Sequence, residues 1–122
     1  MKPFVFLFRQ GPRQLTDAEL KHRAEEVREW AVVQNSEGHH LDPRILDAQI
    51  YRIGPNGKEA PAEASGDRPV TAILFVQARD FSDATRIAAS HPGLRYGASV
   101  EVRGWAPPVQ PAASPSAQSS GR

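Results

Sequence analysis

No cysteine occurs among the 122 residues, so disulfide scaffolds, thiolate nucleophiles and thiolate metal sites are excluded, and the redox compartment is left open. An excess of one charge is missing as well. Lys and Arg number 15 against 14 Asp and Glu, a formal net charge of +1, and the cations are dispersed along the chain. That balance gives no electrostatic case for nucleic acid or an anionic membrane. Long apolar runs are also lacking: none approaches the ~20 residues of a membrane span, and Phe4–Phe8 is shorter than the roughly 7–15-residue core of a secretory signal. No phosphate loop, no Ser-His-Asp arrangement and no nucleotide fingerprint appears. The expectation is a cytoplasmic protein with no metal centre and no cofactor.

What is present is strand-forming sequence with apolar side chains in both directions. Val70 to Ala78 sends Val70, Ala72, Leu74 and Val76 to one face and Thr71, Ile73, Phe75 and Gln77 to the other. Phe4-Val5-Phe6-Leu7-Phe8, within a strand from Pro3 to Arg9, is likewise apolar on both sides. Such strands belong at the centre of a sheet covered on both faces. Two further strands are expected, Ile45 to Ile53 and Ser99 to Trp105. In the first, Leu46, Ala48 and Ile50 alternate with Asp47, Gln49 and Tyr51. In the second, Val100 and Val102 alternate with Glu101 and Arg103.

Thr16-Asp17-Ala18-Glu19 is a capping box that opens a helix. Its stripe is Leu20, Ala24, Val27, Trp30 and Ala31, with Lys21, Arg23, Glu25, Arg28 and Glu29 lying mostly off it. Asn35 to Gly38 ends it. Ser82 is read as the cap of a second helix, which closes at His91-Pro92-Gly93. Gly54 to Pro69 has no period and is read as a long loop. The order is βαββαβ, a ferredoxin-like α+β fold with a four-stranded antiparallel sheet and central strands one and three. Residues 1–105 form that domain. Residues 106–122, rich in Pro, Ala and Ser, lack the apolar content to offset their ordering entropy and are read as a disordered tail.

Two helices cover only one face of such a sheet. The other keeps a row of apolar side chains, a patch larger than a monomer usually leaves wet. Burying it would contribute roughly 10 kcal/mol gross, of the order of the ~4–15 kcal/mol cost of association. A homodimer with sheets packed face to face is the expectation.

The C-terminal stretch His91-Pro92-Gly93-Leu94-Arg95-Tyr96-Gly97, leading into Val100-Glu101-Val102-Arg103, resembles the ending of the YCII-related family, in particular its DGPF-type branch. The opening strand that closes in Arg9 and the charged, Trp-containing first helix are similar too. The resemblance spans about residues 2–105 and implies a dimeric α+β barrel. By analogy with what the shared fold class supports elsewhere, cofactor-free acid–base chemistry on a small molecule is the reaction expected if there is one. The Asp-Gly-Pro-Phe signature is absent; Glu63 to Pro69 stands in its place. Family members carry a polar pair between the end of strand one and the first helix. Here those places hold Arg9 and Glu26, with His22 nearby.

The site residues expected to move a proton are His40, Glu26 and His22. His40, beside His39 and followed by Asp42, could be oriented as a general base; a solvated His pair in a loop is the alternative. His22 pairs at i, i+4 with Glu26, worth only ~0.3–0.5 kcal/mol at a surface. Arg9, Asp47 and Arg103 are the expected substrate-binding groups, Arg9 because its fork matches a carboxylate. Polar groups at the sheet edges serve equally as a rim closing a dimer interface. His91 is read as a cation suited to a helix C-terminus. The function expected is binding of a small, anionic molecule, with a non-catalytic regulatory or protein-interaction module as the alternative.

Overall fold

The computed structural model describes residues 1–60 and 68–108. Its elements are β1 (Lys2–Arg9), α1 (Asp17–Ser36), β2 (Asp42–Ile45), β3 (Val70–Ala78), α2 (Phe81–Ala89), a 3₁₀ helix (Pro92–Tyr96) and β4 (Ser99–Gly104). The strands form one open antiparallel sheet in the order β2-β3-β1-β4. This is a ferredoxin-like α+β fold with the two doubly apolar strands at its centre. Residues 61–67 of the expected loop and 109–122 of the expected tail lie outside the described residues. Among the described residues no helix is long and apolar enough to cross a membrane.

Alternation along the central strands decides the faces. Phe4, Phe6 and Phe8 of β1 and Leu74, Val76 and Ala78 of β3 are buried beneath Ala84, Ile87 and Ala88 of α2. Each large side chain buried there contributes roughly 1.5–3 kcal/mol. Val100 and Val102 of β4 pack against the same cluster. The opposite face carries Val5, Leu7, Ile73 and Phe75, flanked by Arg9, Glu101 and Arg103. Phe75 meets Trp105 edge-on there, ring centroids 5.7 Å apart.

The capping box of α1 forms as the sequence requires: the Glu19 amide donates to Thr16 Oγ1 at 3.1 Å and the Thr16 amide to Glu19 Oε1 at 2.9 Å. For α2 the cap is Asp80, not Ser82. Asp80 is extended and its carboxylate accepts the Asp83 amide at 2.8 Å, whereas Ser82 is already inside the first turn. Asp83 then accepts from the Arg79 amide and from the guanidinium groups of Arg79 and Arg86. Those bonds hold its carboxyl well below the ordinary carboxylate range, Arg79 contributing most.

The second strand also differs from expectation. β2 is Asp42–Ile45, and its ladder ends where the Leu46 amide donates to the Thr71 carbonyl. The cause is the partner: β3 starts at Val70 after Pro69, so among the described residues the alternating run beyond Leu46 has no strand of the sheet to pair with. That run instead closes on itself, with a bridge between Ile53 and Glu59 around Gly54-Pro55-Asn56-Gly57.

α1 approaches the 3₁₀ helix rather than a strand of the sheet. Glu26 accepts from Arg95 at 2.6 Å and from the Tyr96 hydroxyl at 3.3 Å, and Trp30 Nε1 donates to Ser90 Oγ at 2.8 Å. The connection from β1 to α1 crosses this region so closely that a Cβ on Gly11 would lie 2.5 Å from the Gly97 carbonyl oxygen. Gly97 itself has φ 95°, a conformation that glycine adopts without strain. Gly11→Ala should therefore cost about 1–3 kcal/mol of stability through backbone displacement, measured as a lowered urea midpoint with unchanged slope. An unchanged midpoint would contradict this packing.

Candidate functional site

Because α1 rests on the 3₁₀ helix, a cleft of about 480 Å³ remains between α1 and the sheet. That is within the ~300–1,000 Å³ usual for small-molecule sites. Ala24, Val27 and Ala31 of α1 form one wall, and Leu41 and the sheet residues Ala72 and Leu74 form much of the rest. The lining is mainly apolar.

His91 closes one end. It is the cap of the 3₁₀ helix, its Nδ1 accepting the Gly93 amide at 3.0 Å. The ring is half-buried, with centroids 4.6 Å from Phe8 and 4.7 Å from Trp30. Burial, assisted by the nearby Arg23 charge, pushes its pKa from 6.5 down to about 4. It is neutral at pH 7, and because Nδ1 accepts, its hydrogen sits on Nε2.

Arg23 enters the same cleft from α1, and its Nη1 donates to Gln10 Oε1 at 3.2 Å. The ion pairs among the described residues engage other arginines, and in one case His39 with Glu37. Arg23 and Arg28, both lining the cleft, join none of them. An arginine left without a carboxylate beside an apolar lining is suited to a ligand anion.

The residues singled out from the sequence are placed elsewhere. Arg9 lies on the open sheet face, bonded to Glu101 at 3.0 Å and to the Arg68 carbonyl at 2.9 Å. Arg103 bonds the same Glu101 carboxylate at 3.3 Å. Both arginines hold the Glu101 carboxyl below its ordinary pKa, Arg9 more strongly. Glu26 is engaged by Arg95 and Tyr96. His22 is exposed on α1, and Asp47 is exposed beyond the end of β2. His40 is exposed at φ 47° and borders a shallow hollow with Asp42, Phe75, Gln77 and Trp105. Among the described residues no hydrogen bond or ion pair joins any two of His22, Glu26 and His40.

Two histidine readings change. His39 is buried, not solvated: its Nδ1 donates to the Gln77 carbonyl at 2.8 Å and its carbonyl accepts the Gln77 amide at 2.7 Å, so it continues the sheet edge. His91 is no helix-end cation, because α2 stops at Ala89 and the ring is drawn under Trp30. Arg23 had a sequence signal. It stands at i, i+4, i+7 with Val27 and Trp30, a charge on the apolar stripe of α1.

Compared with known proteins, the chain matches no family model and no curated protein sequence.

His91 gives the protein a defined acid sensitivity. Its folded pKa lies below the unfolded value, so between pH 6.5 and about 4 the unfolded chain binds more protons. The stability present above pH 6.5 is lost as pH falls through that window, by ~2 kcal/mol once partial exposure is allowed for. Glu19, Asp83 and Glu101, each shifted below its ordinary value, lose theirs at the acid end of the window and below it. In urea titrations from pH 7.5 to 4, His91→Gln should flatten the slope above pH 4.5 that the wild type shows. Parallel slopes would contradict a neutral His91.

Proposed function

We propose that this chain binds a small anionic molecule in the cleft beneath α1, and that any reaction it performs there is cofactor-free acid–base chemistry. The observation that carries this reading is Arg23, without an ion pair among the described residues, lining an apolar cleft of about 480 Å³. Membership of the YCII-related family belongs to the same proposal. It rests on the motifs quoted above and agrees with the ferredoxin-like fold.

The working form in this proposal is a homodimer joined through the open sheet face. Val5, Leu7, Ile73 and Phe75 supply an apolar centre, and the face carries both charge signs, Arg9–Glu101–Arg103 on one flank and Asp42–Arg44 on the other. A two-fold axis would set these flanks against each other, the self-complementary arrangement an isologous interface needs. Light scattering at micromolar concentration should give twice the chain mass, and a single-chain mass would contradict it.

A second reading, a non-catalytic regulatory or protein-interaction module, is favoured by the exposed side chains of Ile45, Leu46, Ile50, Tyr51 and Ile53. The apolar anion 8-anilinonaphthalene-1-sulfonate separates the two. It should bind and brighten, and Ala24→Trp, which fills the cleft from α1, should weaken it by about tenfold or more. Equal binding by the variant would remove the cleft as the site. A biological activity that survives Ala24→Trp but is lost in I50S/Y51S belongs to the second reading.

A further inference from the structure

The directions of the hydrogen bonds around the cleft define its ligand more narrowly than the presence of one arginine does. Three of the polar side chains lining it each accept a hydrogen bond from within the protein. Gln10 Oε1 takes a hydrogen from Arg23 at 3.2 Å, Asn35 Oδ1 takes one from the Leu41 amide at 2.8 Å, and His91 Nδ1 takes one from the Gly93 amide at 3.0 Å. They carry N–H groups as well, the amide nitrogens of Gln10 and Asn35 and Nε2–H of His91, and of the three only the two amide oxygens keep a second lone pair. Arg23 and Arg28 add guanidinium N–H groups, which can only donate. Thr71 does not alter this, since alternation places its side chain with Ile73 and Phe75 and its hydroxyl donates to the Phe8 carbonyl at 3.3 Å. Among the described residues lining the cleft there is no Asp and no Glu.

From this we infer that the cleft takes a monocarboxylate on an apolar frame, bound as its anion, and that acid–base chemistry there runs on its acid side, through N–H donors stabilising negative charge and not through a side-chain base. The inference rests on the ligand-binding reading above and narrows it. A carboxylate offers acceptor lone pairs in the fork geometry that Arg23 matches. An ammonium group would meet two guanidinium charges and no carboxylate among the described lining residues, and a neutral amide would leave a guanidinium unpaired in an apolar surround, which costs affinity. A bare inorganic anion would gain nothing from Ala24, Val27 and Ala31. With no unoccupied side-chain base among the described lining residues, a reaction in the cleft would be assisted by N–H groups facing developing negative charge.

The test uses the full chain and three isosteric probes, 2-naphthoate, 2-naphthamide and 2-naphthylmethylamine at pH 7.5, with inorganic phosphate as competitor, followed by calorimetry. The naphthoate should bind at least about tenfold more tightly than the amide. The amine should not bind measurably, and phosphate should not displace the naphthoate. Arg23→Gln should lower naphthoate affinity to that of the amide while leaving amide affinity unchanged, which also reports that the variant's cleft is intact. Arg23→Lys, keeping charge without the fork, should fall between. Equal affinity for acid and amide, tighter binding of the amine, or displacement by phosphate would each overturn the inference while leaving a cleft that binds small molecules. Binding of none of the three would overturn the cleft reading itself, and the inference with it.

Discussion

The imidazole of His91, held between Phe8 and Trp30, is the contact on which the rest of the architecture depends. It joins β1, α1 and the segment leading into β4 through one ring. Its Nδ1 is used to start the 3₁₀ helix, whose Arg95 and Tyr96 then bind Glu26 of α1. With Trp30 bonded to Ser90, α1 is fastened along its middle to the α2–β4 connection. A helix anchored this way does not settle on the sheet. The cleft is the space that remains, and its polar groups are those of the elements that hold α1 in place.

The sheet meets its two faces differently. One is closed by α2, with small residues Ala84 and Ala88 allowing close approach to the β1 phenylalanines and Ile87 filling the centre. The other alternates apolar residues with the Arg9–Glu101–Arg103 cluster. Arg9 therefore serves that face. Arg23 differs from Arg9 in having no carboxylate to answer it among the described residues.

Much of the fold was legible in the sequence because its signals are local or strictly periodic. β1 and β3 are apolar in both directions, and period-two alternation alone places them centrally. The Thr16–Glu19 capping box needs only residues within one turn. Legibility fails where an element depends on a distant partner. Ile45 to Ile53 alternates well, but β3 begins too late to receive it, and no local pattern records where a neighbouring strand starts. Ser82 and Asp80 are both good caps, and the choice falls to Asp80 because Arg79 and Arg86 converge on Asp83. The cleft was the least legible part. His91 reads as a helix-end cation until the 3₁₀ turn carries it under Trp30, and Arg23 reads as one surface cation among many until no carboxylate partner for it is found among the described residues. The charge at i, i+4, i+7 with Val27 and Trp30 was the one trace of it in the sequence.

His91 is neutral at pH 7 with its hydrogen on Nε2, so that it offers an N–H group at the end of the cleft. Long-range ¹H–¹⁵N correlation of the histidine rings tests it directly. At pH 7 the His91 Nδ1 should resonate as a bare ring nitrogen and Nε2 as a protonated one. A hydrogen on Nδ1, or on both nitrogens, would contradict the arrangement from which the cleft's chemistry is drawn.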